Sequence, residues 1–222
     1  MKKEDLSLLL RHLPLFLRLA LKKEYDTNHF VNYAEFSPER LSELFCEWSN
    51  DINRQRDGRI HAIEYYCGYI SEKINMYLRR QLEYCDYEGE METLRKLICN
   101  APIIPGRTII YRAIPVQVLD ALLVMVEKEG FYVDRGFLST SLNLNGIANF
   151  QADMGRKKHV LKLFVQCDTH ALYVEDIHGY GMGRGEQELI LPPGAKITPL
   201  SIPHISRQYG YTIYDCLLTY EE

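Results

Sequence analysis

The sequence predicts an α+β protein in which an all-α lobe precedes a β-rich lobe. Over the first hundred residues, apolar side chains recur at intervals of three and four, which is the period of one helical face. After residue 100 the chain changes to short β-branched and aromatic runs separated by Gly, Asn and Pro, which are typical of strands and turns. A helical half followed by a strand-rich half favours the α+β class. We place the lobes at residues 1–100 and 101–222.

Helix signals are strongest in three segments of the first lobe. SPERLSELFCEWSND has Pro38 at the first helical position and acidic residues in the opening turn. The stretch 59–85 predicts one long helical face, and GEMETLRKLICN predicts a shorter helix. The tyrosines of stretch 59–85, Tyr66 among them, are interpreted as packing residues rather than as a ligand cleft. The apolar face comprises Ile60, Ile63, Cys67, Ile70, Ile74, Leu78 and Leu82.

The second lobe reads as strands with one clear helix. RTIIYRAI is a β-branched run closed by Pro115, and VQVLDALLVMVEKEG predicts a helix that stops at Gly130. Further strands are predicted for GFLSTSL, HVLKLFVQC, ALYVEDI, EQELILPPG, AKITPLSI and YGYTIYDCLLTYE.

Composition and charge narrow the class of protein. The chain has 222 residues, 46% of them hydrophobic, and a formal net charge of −4, which is ordinary for a globular protein and gives no general attraction to nucleic acid. The six cysteines show neither CxxC spacing nor a Cys/His cluster, so we expect reduced thiols and no metal site.

The N-terminal stretch LSLLLRHLPLFLRLALKK is apolar but is interrupted by charged residues and a proline. A membrane span needs about 20 consecutive apolar residues, and a Sec signal needs a cleaner apolar region. We therefore expect a core-packed amphipathic helix, without stable membrane insertion and without a Sec signal.

Two glutamates open one of the predicted strands, in the sequence GRGEQELILPPG. On a strand, Glu186 and Glu188 would share a face with their carboxylates roughly 6–7 Å apart. Folding does not reward two anions in that position, although an exposed edge strand can carry charge that deters aggregation. A paired-carboxylate glycosidase would also fit the spacing.

Two other segments carry side chains suited to a site. GFLSTSL closes an apolar run with three hydroxyl residues, which can satisfy a turn or can position a nearby carboxylate. Arg112 lies inside a predicted core strand, where a guanidinium needs an anionic partner such as a phosphate unless it faces solvent.

The order of these segments resembles the ADP-ribosyltransferase family that has an Arg, Ser-Thr-Ser, Glu-x-Glu signature. An aromatic-Arg pair lies on a first strand, FLSTS on a second, and ExE before a later apolar strand and a Pro/Gly turn. The family includes clostridial-type toxins, bacterial effectors and vertebrate ectoenzymes. The resemblance covers residues 105–203 and implies a core of two packed mixed or antiparallel sheets that form an NAD cleft.

The resemblance assigns roles around NAD, which would be a co-substrate with no metal required. Arg112 would bind the NAD phosphates. Ser139 would hydrogen-bond the catalytic glutamate, Glu188, which would hold the ribose and stabilise its developing positive charge. Glu186 would face the acceptor. Further residues of the implied NAD site are Ala113, where many relatives have glycine, and the strand-bracing Thr140 and Ser141.

Two loops complete the implied site. VEDIHGYGMGRG corresponds to the loop that recognises the target, and Tyr180 is its candidate contact residue. The stretch NLNGIANFQADMGRKK lies where relatives carry a phosphate–nicotinamide loop. There Phe150 is a candidate to stack on nicotinamide and Arg156 to contact phosphate, although core packing and solvation explain both residues equally well.

The resemblance therefore implies a mono-ADP-ribosyltransferase that modifies an arginine of a protein acceptor, because relatives with Glu at position 186 are generally arginine-specific. Alternatives are NAD glycohydrolysis, transfer to another residue such as Thr or Ser, and a catalytically inactive binding module. We expect a secreted bacterial effector that acts on a host protein in the host cytoplasm. A phage or bacterial enzyme that acts inside bacteria is the alternative.

Overall fold

The computed structural model describes residues 7–8, 10–22, 25–32, 38–55, 58–104, 106–148, 159–166, 168–175, 177 and 185–220. Helices dominate its first part, as predicted. They are α1 (Leu13–Ala20), α2 (Pro38–Gln55), α3 (Gly58–Tyr65), α4 (Ser71–Leu78) and α5 (Glu88–Asn100), with a π-helical turn (Tyr66–Ile70) between α3 and α4. The helix α6 (Val116–Glu129) belongs to the second part.

The long helix predicted for residues 59–85 is shorter than expected and is interrupted. The π-helical turn divides it, and α4 ends at Leu78. Arg80 then adopts a left-handed conformation with φ of 60°, which a continuing right-handed helix does not allow. Leu82, predicted on the buried face, is consequently 38% exposed.

Within the described residues, ten strands form one hydrogen-bonded sheet, in the path β4-β10-β12-β6-β3-β5-β9-β8 with β1 on β3 and β11 on β12. The pairs β1–β3 and β6–β12 are parallel, and the other pairs in this sheet are antiparallel. The strands β2 and β7 pair separately. Their bounds are β1 (Val31–Asn32), β2 (Ile103–Ile104), β3 (Thr108–Ile114), β4 (Tyr132–Asp134), β5 (Leu138–Ser141), β6 (His159–Val165), β7 (Thr169–His170), β8 (Leu172–Tyr173), β9 (Glu188–Leu191), β10 (Ala195–Pro199), β11 (His204–Ile205) and β12 (Thr212–Thr219).

The sheet folds into two halves that pack against each other around one core. One half contains β4, β10, β12, β6 and β3, and the other contains β5, β9 and β8. The halves meet between β3 and β5, where one residue pair, Tyr111 with Ser141, is in register. Ile110 and Leu163 from one half lie in the same buried cluster as Leu138 and Leu189 from the other. The mixed, largely antiparallel sheet structure agrees with the predicted fold class, with the two layers joined by hydrogen bonds at β3–β5.

The helical part covers the other face of β5 and β9. Ile63 and Ile74 belong to one buried cluster with Phe137 and Ile190. Helices from the first hundred residues therefore share a core with strands from the rest of the chain, and the boundary at residue 100 stays a prediction.

The N-terminal apolar stretch packs on the core through α1. Leu15, Phe16 and Leu19 are buried, and His12, 1% exposed, contacts Asp120 and Glu127 of α6 at 2.9 Å each. No helix in the described part of the chain is both long and apolar enough to span a membrane.

A bidentate ion pair links the helical part to the sheet. Arg79, just after α4, donates from Nε and Nη2 to the two carboxylate oxygens of Asp134 at 2.8 and 2.9 Å. Asp134 is 2% exposed and also accepts the backbone N–H of Gly136 at 2.9 Å. The arginine thus neutralises a carboxylate that water cannot reach.

Replacing Arg79 with alanine should lower the free energy of unfolding by about 3–5 kcal/mol, because it leaves the carboxylate of Asp134 buried without a cation. Urea titration would measure this loss. The matched control is Arg95→Ala, because Arg95 makes an exposed contact of 3.9 Å with Glu92. That variant should lose less than about 1 kcal/mol. Equal losses in the two variants would contradict the assigned role of the Arg79–Asp134 pair.

Candidate active site

The strands β5 and β9 present two chemically different faces. Ser141 lies opposite Glu188 and Ser139 lies opposite Ile190, so these four side chains share one face. That face lies under the helices, because Ile190 packs in their cluster. On the other face, Leu138 and Leu189 join the core between the two halves of the sheet.

Thr140 lies on the face that carries Leu138 and Leu189, and its side chain links the two strands. Its hydroxyl is buried and donates to the backbone carbonyl of Leu189 at 2.9 Å. The side-chain bond adds to the backbone ladder of β5 and β9, and it satisfies a hydroxyl that the core would otherwise leave unpaired.

Arg112 reaches the hydroxyl-bearing strand from β3. Its Nη1 donates to the backbone carbonyl of Ser139 at 2.8 Å, and the residue is half-buried. The guanidinium has five N–H donors, and this bond fixes the group beside Ser139.

Tyr66, from the π-helical turn, meets these residues from the helical side. The ring is 1% exposed, its hydroxyl makes a hydrogen bond with the side chain of Ser139, and it lies within the electrostatic range of Arg112 and Glu188. Burial raises the pKa of Tyr66 to about 12, so the hydroxyl keeps its proton into alkaline solution. A cation, two hydroxyls and a carboxylate therefore converge on one site.

Asn75 of α4 sets the position of Tyr66. Its Nδ2 donates to the Tyr66 hydroxyl at 3.0 Å, while its Oδ1 accepts the backbone N–H of Phe137 at 2.8 Å. A Cβ on Gly136 would lie 2.7 Å from that Oδ1 and 2.9 Å from Nη2 of Arg79. Glycine at the start of GFLSTSL thus allows the strand to approach α4.

The sequence did not identify Tyr66 and Asn75 as site residues. Nine positions on a regular α-helix correspond to roughly 180°, so a helical projection puts the two side chains on opposite sides. The π-helical turn changes that phase, and such turns are frequent at functional sites. The sequence does place Asn75 next to Ile74 of the predicted apolar face, and an amide that is buried there needs hydrogen-bond partners.

Glu186 differs from the expectation of two glutamates on one strand face. β9 begins at Glu188, and Glu186 lies in a turn before it. The turn contains Gly185 with φ of 85° and Gln187 with φ of 49°, both left-handed. Strand alternation therefore does not relate the two carboxylates, and the prediction that they share a strand face was wrong.

The backbone of Glu186 is held by β5 and by the segment that follows it. Ser141 Oγ lies 2.6 Å from the Glu186 carbonyl and 2.9 Å from that of Asn143, and it donates its single proton to one of them. The Asn143 Nδ2 bonds to Oε1 of Gln187, and its Oδ1 accepts the N–H of Gly146 at 2.8 Å.

Gly146 is required by close packing at this point. A Cβ there would lie 2.1 Å from the Glu186 carbonyl oxygen and 2.2 Å from Ser141 Oγ. Real Cβ atoms do not approach other atoms so closely, so the glycine lets the segment at 144–148 lie directly against the turn that carries Glu186.

The remaining predicted residues are distributed as follows. Ala113 is half-buried on β3 opposite Val160, and its side chain packs in a cluster with Phe164. That cluster contains Tyr111 and lies on the face of β3 opposite Arg112. Phe150, Arg156 and Tyr180 lie outside the described residues, so their assigned contacts stay predictions.

Metal-binding and disulfide chemistry find no support in the described ranges. The five described cysteines are free thiols. No group of three or more His, Cys, Asp or Glu side chains in those ranges is arranged to hold a metal ion. The expectation that no metal is needed stays a prediction.

A family model described as ADP-ribosyltransferase exoenzyme matches residues 42–210. The match covers more than half of the chain, and this protein belongs to that family. It begins within α2, so it includes helices that the sequence had left without a motif. No curated protein sequence matches the chain.

Solved structures of bacterial toxins share the fold. BECa, an ADP-ribosylating toxin of a C. perfringens binary enterotoxin solved with NADH, superposes with a TM-score of 0.63 at 17% identity, covering 86% of this chain and 50% of BECa. C2-I, the enzymatic component of the C2-toxin from Clostridium botulinum, gives 0.61 at 17% identity, covering 85% and 49%. This chain therefore spans about half the length of these two proteins. C3stau2 from S. aureus, solved with NAD, gives 0.59 at 18%, covering 83% and 97%.

Tyr66 should make stability fall at alkaline pH. Its pKa is about 12 in the folded protein and about 10 in the unfolded chain, so its contribution is complete below pH 10 and is lost as the pH rises toward 12. From pH 9 to pH 11, wild type should lose about 1.4 kcal/mol more unfolding free energy than Tyr66→Phe, which cannot ionise. Urea titrations at each pH would measure the difference. Parallel pH profiles would show that Tyr66 titrates normally.

Gly146→Ala should destabilise the fold by about 1–3 kcal/mol or more, because the added methyl group meets a backbone carbonyl. The matched control is Gly89→Ala in α5, where an added Cβ meets no atom within 4 Å. The control should gain about 0.4–1 kcal/mol by restricting the unfolded chain. Thermal unfolding compares the two variants, and a neutral Gly146→Ala would contradict the close approach.

Proposed function

We propose that this protein is an NAD-dependent mono-ADP-ribosyltransferase that modifies an arginine of a host protein. The observation that carries the proposal is the meeting of Arg112, Ser139 and Glu188 around the buried Tyr66 hydroxyl. Membership of the ADP-ribosyltransferase exoenzyme family supports the same reaction class.

The side chains of this site suit a ligand that combines phosphates with ribose hydroxyls. A guanidinium binds phosphate oxygens through parallel N–H donors, and Arg112 has donors beyond the one that contacts the Ser139 carbonyl. Ribose hydroxyls pair with a carboxylate and with neutral hydroxyls, which Glu188, Ser139 and Tyr66 supply. NAD fits this donor set, and it would supply the ADP-ribosyl group with nicotinamide as the leaving group.

Glu188 is assigned to the bond-breaking step. The bond between nicotinamide and ribose breaks with its electron pair on nicotinamide, so positive charge develops on the ribose. Strand pairing sets the backbone of Glu188 opposite Ser141, and a carboxylate carried on such a strand can stabilise that charge with little reorganisation. The Tyr66 hydroxyl is neutral at physiological pH and adds no competing charge at this point.

Glu186 is assigned to the acceptor. An arginine guanidinium is a poor nucleophile while it is protonated. A carboxylate can pair with it and accept one proton as a guanidinium nitrogen forms the new bond to the ribose carbon. Glu186 lies in a turn before β9 rather than on the strand with Glu188, which is consistent with two glutamates that serve different substrates.

A host protein as acceptor is supported by the toxins that share the fold, BECa and the C2-toxin component among them. We propose that the chain acts as a bacterial effector in the host cytoplasm.

Glu188→Gln should reduce labelling of host-lysate proteins from labelled NAD by about 100-fold or more, because the variant lacks the charge that stabilises the ribose. Glu186→Gln should lose transfer to arginine yet keep NAD hydrolysis within about threefold, because the acceptor loses its proton acceptor. Label transfer and nicotinamide release are measured in parallel, and mass spectrometry identifies the modified residue.

The control for both variants is Glu92→Gln, which removes a carboxylate that is 49% exposed on α5. Its two activities should match wild type. If wild type releases nicotinamide but labels no protein in host or bacterial lysate, NAD glycohydrolysis replaces the transferase proposal. Label on Thr or Ser would overturn the arginine assignment alone.

A further inference from the structure

We propose that Glu175 is a positioning residue that holds Glu186 in place for arginine modification. The inference rests on the proposed function of Glu186. It adds a residue to which neither the sequence pattern nor the family signature gives a role.

The carboxylate of Glu175 accepts hydrogen bonds from the backbone on both sides of Glu186. Its Oε1 accepts the N–H of Gly185, and its Oε2 accepts the N–H of Gln187 at 2.6 Å. Each carboxylate oxygen therefore binds one N–H, and the two donors flank the residue that is to be positioned. Hydrogen bonds to an ionised acceptor are about twice as strong as neutral ones, which makes this a strong restraint.

The backbone needs such a restraint at this point. Gln187 has φ of 49° and Gly185 has φ of 85°. A left-handed conformation is unfavourable for a residue with a side chain, and it persists only where the surroundings determine it. The Glu175 carboxylate binds the N–H of Gln187 itself, and Asn143 binds its side chain. The two contacts together hold the strained residue.

Glu175 also closes the base of the segment that contains Tyr180. Residues 176–184 lie between the carboxylate and the first N–H that it binds. The Oγ of Ser141 lies 2.6 Å from the Glu186 carbonyl oxygen, so this contact does not depend on Glu175.

Glu188 is held by different contacts. It belongs to β9, where it pairs with Ser141, and the next residue on that strand accepts the Thr140 hydroxyl. Loss of the Glu175 carboxylate should therefore displace Glu186 while leaving Glu188 registered on its strand. Transfer to arginine and hydrolysis of NAD should respond differently.

The experiment compares full-length wild type with Glu175→Ala in two assays. One is ADP-ribosyl transfer from NAD to agmatine, a small guanidine compound, and the other is NAD hydrolysis without acceptor. Transfer, as kcat/KM for agmatine, should fall about 10- to 100-fold, because displacement by 1 Å can cost that much. Hydrolysis should stay within about threefold of wild type, which also reports that the variant is folded.

Asp168→Ala is the matched control, because its carboxylate accepts the backbone N–H of Gly106 at 2.7 Å away from Glu186. It should leave the ratio of the two activities unchanged. If Glu175→Ala fails to fold, Glu175→Gln takes its place. Its amide can accept only one of the two N–H groups, so the same ratio should still fall.

Two results would overturn the inference. Equal loss of transfer and hydrolysis would make Glu175 a general structural residue, and unchanged transfer would show that the turn needs no restraint. Failure of the proposed function gives a different pattern, in which wild type transfers nothing to agmatine or Glu186→Gln transfers as well as wild type.

Discussion

The side chain of Asn75 connects the helical part of this protein to the sheet beside the candidate active site. The amide oxygen accepts the backbone N–H of Phe137, the residue before β5, and the amide nitrogen donates to the hydroxyl of Tyr66. Tyr66 in turn bonds to Ser139 on the same strand. The path from helix to strand and back is a closed set of hydrogen-bonded polar groups, each with a partner, which is the condition under which such groups specify one arrangement. Arg79 and Asp134 reinforce the same junction.

The two glutamates of GRGEQELILPPG depend on different kinds of support. Glu188 is placed by the hydrogen bonds of a sheet, which fix a side chain through many residues at once. Glu186 is placed by single contacts to its carbonyl and to the backbone on either side. A site built on a strand is more precise than one built on a turn. The turn, however, allows a carboxylate to lie where strand alternation would not put it.

The fold class and the sheet-borne residues could be predicted from the sequence for a definite reason. Arg112, GFLSTSL and Glu188 each sit in short local patterns, and their order along the chain resembles one family signature. Tyr66 could not be found in that way, because its meeting with Asn75 depends on a π-helical turn that helical periodicity does not encode. The turn at Gln187 could not be predicted for a related reason, since glutamine has no special preference for positive φ. Strand alternation was therefore extended two residues too far.

The two glycines at the ends of GFLSTSLNLNG bear on how the chain avoids pairing this strand in the wrong register. The strand Leu138–Ser141 is only four residues long, and its alternation opposes a shift of one residue more strongly than a shift of two. A shift of two residues would keep the faces but would bring side chains to the points where Gly136 and Gly146 now touch α4 and the Glu186 carbonyl. Such slipped pairings are excluded by collision rather than by lost attraction. The two glycines thus help to restrict the strand that carries Ser139 to its native register.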